Sequence, residues 1–154
     1  MRANGRLLRY AAVALAVIVA VVHLLHPDFG IWALMVYVSI PAFPDPRPPA
    51  FVLSAVAILL SIALVADGAL SPRAASLGGI ALMIVYIVGY FGWHMFGHGA
   101  WWPWGSGLGG HSHTFLEILL GDGHLRDDPI ALGSKLAELA LLVVLALIYA
   151  DESG

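Results

Sequence analysis

The sequence predicts an all-α, polytopic membrane protein. Its plan is a bundle of four transmembrane helices, with a short interfacial or re-entrant helix over residues 30–43 and a short external helix over residues 114–120. Three observations carry this. Hydrophobic residues make up 60% of the chain and charged residues 11%, where a soluble domain carries roughly a quarter charged. The mean hydropathy is +0.89. A single domain of 154 residues cannot bury that much apolar surface, so lipid must solvate part of it.

The third observation is segment length. Crossing about 30 Å of hydrocarbon takes roughly 20 apolar residues at 1.5 Å each. The stretches 7–26, 74–96 and 130–150 meet that length, and 49–66 nearly does. The first opens among Arg2, Arg6 and Arg9 and so mimics a secretory signal. It is longer than an ordinary signal core and ends in His26-Pro27-Asp28 without a small-residue cleavage site, so it reads as a retained span. The second begins at Pro48-Pro49, the third after Ser71-Pro72 and the fourth after Asp128-Pro129. Proline in a first turn gives up an N–H that has no helical partner, and Ser71 and Asp128 are good N-caps.

Gly30–Phe43 is apolar but only 14 residues long, about 21 Å as a helix, and Pro41 breaks its last turn. It suits an interfacial position, with Trp32 and Tyr37 at headgroup level. Five spans are the alternative. Arginine counting accepts both topologies, and a cytoplasmic N-terminus in the cell membrane is common to them.

The connection from Gly97 to Asp128 opens with a glycine-rich stretch that forbids a regular element, and Trp101, Trp102 and Trp104 read as an aromatic anchor. Thr114-Phe-Leu-Glu117 then reads as a capping box opening the external helix, which Gly121 stops.

Composition excludes several functions. The net charge of −3 offers no basic stripe, so nucleic acid is not a partner. Without cysteine there are no disulfides, thiolate sites, iron–sulfur clusters or cysteine nucleophiles. No nucleophile elbow, H-E-x-x-H or P-loop pattern is present. The chain therefore reads as non-enzymatic, with a metal-dependent hydrolase using Glu117 as base the one exception.

The chemistry concentrates in seven histidines: His23, His26, His94, His98, His111, His113 and His124. With four spans they all fall at one membrane face, near Asp28, Glu117 and Asp122. With five, His23 and His26 are separated from the rest. His94 and His98 are four apart and His23 and His26 three apart, spacings that place each pair on one helical face. Imidazole is a ligand for zinc, copper and nickel, so His94, His98, His23, His26, His111 and His113 form the candidate set for a divalent transition metal. The plainer reading is a row of half-wet boundary histidines. A third is bis-histidine haem ligation by His23 and His94, with Gly89 and Gly92 making room.

Within the last span, Lys135 and Glu138 are three apart and can pair, and a histidine from the layer above is the other partner open to Glu138. They serve either as a structural ion pair or as a proton or ion relay. Gly133, Ala137 and Ala140 form a small-residue stripe suited to close helix packing, so the partners to expect besides the bilayer are a second copy or another membrane protein.

The stretches DPRPPAF (Asp45–Phe51), WHMFGHGAWWP (Trp93–Pro103) and DDPIALGSKLAELALL (Asp127–Leu142) resemble a family of small integral membrane proteins of halophilic archaea. The resemblance covers most of the chain. It implies a four-helix membrane protein and carries over no catalytic or binding residue.

Overall fold

A computed structural model describes residues 3–39, 45–98, 111–121 and 125–152, and every regular element among them is an α-helix. Four are long: α1 (Ala3–Leu24), α3 (Arg47–Ala66), α4 (Pro72–Met95) and α6 (Pro129–Asp151). Each has 20 to 24 residues, so each reaches about 30–36 Å and can cross a bilayer. Two are short: α2 (Ile31–Tyr37) and α5 (Phe115–Leu120). At seven residues α2 reaches only about 10 Å and cannot span. The protein is a multi-pass, four-helix membrane protein.

The helix starts follow the punctuation of the sequence. Ser71 accepts a hydrogen bond from the Ala74 amide, and Asp128 accepts from Ile130 and Ala131. At α5 the capping box closes both ways, with the Glu117 carboxylate accepting from the Thr114 amide at 2.7 Å. One end differs. The first span was expected to run to His26, but α1 stops at Leu24. Proline disfavours helical geometry in the residue before it, which here is His26. The chain then folds back so tightly that a side chain on Gly30 would strike the carbonyls of Leu24 and His26. The expected aromatic anchor of Trp101, Trp102 and Trp104, the face residues Asp122 and His124, and the end of the 30–43 segment lie outside the described residues.

The long helices run alternately up and down. α1 lies antiparallel to α6, with Arg9 paired to Glu152 at one end and His23 facing Glu138 towards the other. The main packing surfaces are α4 on α6, α6 on α1 and α1 on α3, whereas α3 and α4 meet only sparsely. Between them lies a cavity of about 510 Å³, lined by residues such as Ala57, Ser61, Gly78 and Leu82. The α4–α6 seam is close because Gly79 has no side chain to push Leu145 away. The core is a thin column that includes Val19, Ala20, Ala55, Met83 and Leu141. Leu53, Val85 and Leu136 point outward, each at least 60% exposed. Helices apolar on every side need an apolar solvent, and the bilayer supplies it.

Four helix ends therefore meet at one face: the C-termini of α1 and α4 and the N-termini of α3 and α6. Arg47 ties this face together. Its guanidinium is held by Asp45 at 2.6 Å and lies over the rings of Phe29 (4.0 Å) and Trp93 (4.2 Å).

Candidate metal centre

The C-terminus of α4 builds the first part of the site. Gly97 (φ +84°) and His98 (φ +52°) both turn left-handed, and the His98 amide donates back to the Trp93 carbonyl at 2.9 Å. The left-handed conformation costs a non-glycine residue about 1–2 kcal/mol, and histidine is among those that tolerate it best. The turn carries the His98 ring off the end of the helix, beside His94 at 4.8 Å between ring centres.

The second part arrives from the loop before α5. The His113 amide donates to the His94 carbonyl at 3.1 Å, which satisfies a helix-terminal acceptor and pins the loop to α4. Phe91 and Phe115 pack at 4.9 Å and hold α5 against the same helix, while Ile118 is fully buried. His98, His111 and His113 consequently converge, with one ligand nitrogen from each lying within 4.8 Å of the others. Two nitrogens bound tetrahedrally at 2.0–2.1 Å from zinc would be about 3.3 Å apart. Contraction by roughly 1.5 Å, within reach of side-chain rotation in an exposed loop, would bring the three rings onto one ion.

His94 is prepared to help. Its Nδ1 lies 2.8 Å from the Tyr90 carbonyl, which can only accept, so Nδ1 carries the proton and Nε2 is the basic atom. A ligating histidine is ordinarily oriented in this way. The cluster also sits at the C-terminal end of α4, where the helix dipole favours positive charge.

The six described histidines of the candidate set share one end of the bundle, but they do not share one site. His26 lies beyond α1, so the helical face expected for His23 and His26 does not form. Its ring stacks on Phe29 at 4.8 Å, and partial burial holds its pKa below the ordinary 6.5 despite the nearby Asp28 and Asp128. His23 points into the bundle, 2% exposed. Its ring is covered by Tyr86 at 4.1 Å and Phe51 at 4.7 Å. A porphyrin bound by His23 would have to displace both rings, so the haem reading is not carried further. Glu117, the base expected by the hydrolase reading, accepts from the Thr114 amide and hydroxyl through one carboxylate oxygen in the capping box.

Lys135 and Glu138 do pair, with Nζ 2.7 Å and 2.6 Å from the two carboxylate oxygens. Sequence reasoning allowed Glu138 a histidine from the layer above without saying which one, and it missed the rest of this layer. Ser134 donates to Glu138 Oε1 at 2.7 Å, His23 Nε2 stands 3.6 Å from the same oxygen, and Tyr86 donates to Ser54 at 2.5 Å. The spacing of Ser134 from Glu138, one helical turn, was a legible signal. Nothing local marked His23, Tyr86 or Ser54. The small-residue stripe divides too: Ala137 packs against the core, while Gly133 and Ala140 are exposed.

Comparison with known protein families, with curated proteins and with solved structures gave no match to this chain. The fold and the histidine cluster therefore define the class alone: a four-helix, multi-pass membrane protein with a polar face.

Proposed function

We propose that this protein binds one divalent transition-metal ion at its histidine face, as a non-enzymatic membrane protein. His98, His111 and His113 are the ligands, and His94 closes the fourth position. The observation that carries the reading is the convergence of three imidazole nitrogens within 4.8 Å from two separate stretches of chain. An all-imidazole donor set suits zinc, copper or nickel rather than magnesium or calcium. The same reading places this face outside the cell and the N-terminus inside. It rests on Arg6, Arg9 and Arg73 at the far end, against Arg47 and Arg126 at the histidine face.

Equilibrium dialysis of chelator-stripped protein against zinc, copper and nickel tests the site. One ion per chain is expected, lost when His98, His111 and His113 are all changed to alanine and kept in His26→Asn. Unchanged stoichiometry in the triple variant would remove the proposal. Accessibility tags at Arg47 and Ser106 test the orientation, which fails if either is cytoplasmic.

A second reading, an accessory subunit of a membrane complex, is favoured by one feature of α6. Gly133 and Ala140 are exposed, and a side chain added at Gly133 would meet nothing within 4 Å. A surface so open accepts a close-packed partner helix. Co-purification of a fixed partner with no metal at stoichiometric level would select this reading.

A further inference from the structure

We infer that His23 and Glu138 form a proton-binding site inside the bundle, which takes up one proton between imidazole Nε2 and carboxylate Oε1. The inference is independent of the metal reading and uses none of its ligands.

The argument begins with the His23 tautomer. Nδ1 lies 2.9 Å from the Val19 carbonyl. A carbonyl oxygen only accepts, so Nδ1 bears the ring proton and Nε2 of the neutral ring bears a lone pair. That lone pair faces Glu138 Oε1 at 3.6 Å. Two acceptors thus oppose each other where His23 is 2% exposed and Glu138 is 0% exposed. The separation exceeds the roughly 2.7–2.9 Å of a charge-assisted hydrogen bond, as expected of two atoms that share no proton. One added proton turns mutual repulsion into such a bond, whichever atom holds it.

The surroundings leave the proton as the fitting ligand. Lys135 Nζ already occupies the position a small cation would take, within 2.7 Å of both carboxylate oxygens. Ser134 donates to Oε1 as well. Lysine and carboxylate cancel, so the layer is neutral without the added proton and singly positive with it.

Every packed helix contributes to the setting. From α3 come Phe51 and Ser54, both uncharged, with Arg47 above them at the face. From α4 come Tyr86 and Tyr90, whose rings lie 5.9 Å and 5.2 Å from the lysine ammonium. On α6 are Lys135 and Ser134, and His26 stands beyond the end of α1. Among the described residues Glu138 is the one buried acid, so His23 has a single carboxylate with which to share a proton. A buried carboxylate–imidazole pair on two different helices also couples proton occupancy to the α1–α6 contact. Ionisable groups in this position are where proton-coupled membrane proteins do their work.

The test uses the full chain in lipid vesicles with chelator present and histidine labelled with ¹⁵N. His23→Gln assigns the His23 resonances. At pH 8 the expected ring is protonated at Nδ1 and bare at Nε2. Acidification to about pH 3, which spans ordinary imidazole and carboxyl titration, should add one proton to this pair. It appears either as Nε2–H by NMR or as a carboxylic-acid C=O stretch by infrared. In Glu138→Gln this event should vanish or move by more than about one pH unit. Three results would each overturn the inference: an Nε2–H tautomer at pH 8, no uptake at either atom, or uptake indifferent to Glu138→Gln. If that variant does not fold, the tautomer and the uptake in the unaltered chain decide alone.

Discussion

The face cluster and the buried layer both rest on imidazole, yet they are built in opposite ways. His98, His111 and His113 stand on loop backbone at the water boundary, held by two backbone hydrogen bonds and a packed helix cap. His23, Glu138 and Lys135 stand on transmembrane helices, with Glu138 wholly excluded from solvent. The loop site can contract by the ångström or two that a metal needs and should contribute little to folding. The helical layer cannot move without moving α1 against α6. It trades adaptability for stability and a fixed geometry. Binding and folding are thus separated along the bundle axis, and substitutions should separate them too.

The largest effect should come from Glu138→Ala. It leaves the part-buried Lys135 ammonium without its carboxylate, and breaking a buried pair costs up to about 3–5 kcal/mol. Denaturant unfolding in mixed micelles should show that loss, whereas metal stoichiometry should be unchanged in whatever fraction remains folded. Replacing both members, Lys135→Met with Glu138→Leu, should restore most of the stability, because no charge is then stranded. If the double variant is no better than the single one, the layer does more than balance charge.

His98→Ala should invert the pattern. Metal affinity should fall by more than the roughly 10–100-fold typical of losing an outer-shell partner. Thermal stability without metal should hold or fall slightly, since alanine tolerates the left-handed turn less well than histidine does. A large loss of stability would mean that the loop is structural after all.

Thr114→Ala removes the hydroxyl of the capping box and should cost about 1 kcal/mol, felt locally at α5. Hydrogen exchange at the α5 amides should quicken while the long helices keep their protection. Metal binding should weaken modestly, because His113 directly precedes the cap.

The smallest effect concerns His26, whose folded pKa lies below 6.5 because of partial burial. Above pH 6.5 both folded and unfolded rings are neutral and the contribution to stability is complete. As pH falls through 6.5 the unfolded ring takes its proton first, so stability declines. His26→Asn should flatten that part of the pH–stability curve and leave the region above neutrality unaltered.

How much of this was legible in the sequence varied with distance along the chain. Ser71, Asp128 and the Thr114/Glu117 box cap the helices they were expected to cap, since capping is settled within four residues. The Lys135–Glu138 pair was equally local, at one helical turn. His23 was the instructive failure. Its three-residue spacing from His26 promised a shared face, but Pro27 ended the helix first and the ring turned towards another helix. Likewise, His94 and His98 were expected to share one helical face, while the left-handed turn at Gly97-His98 carried His98 off the helix and beside the loop histidines.

By itself, then, the sequence determined that the chain is a four-helix membrane protein, where the side-chain-capped helices begin, and that histidines gather at one end. Hydropathy, segment length and caps are local quantities, and they suffice for those conclusions. Only the tertiary structure decided which histidines meet, that His23 belongs with Glu138, and that α3 and α4 part around a cavity. Those outcomes depend on how each helix is rotated about its own axis. Helices apolar on every side carry no sequence stripe to announce that rotation, and close packing at such positions as Gly79 against Leu145 sets it instead.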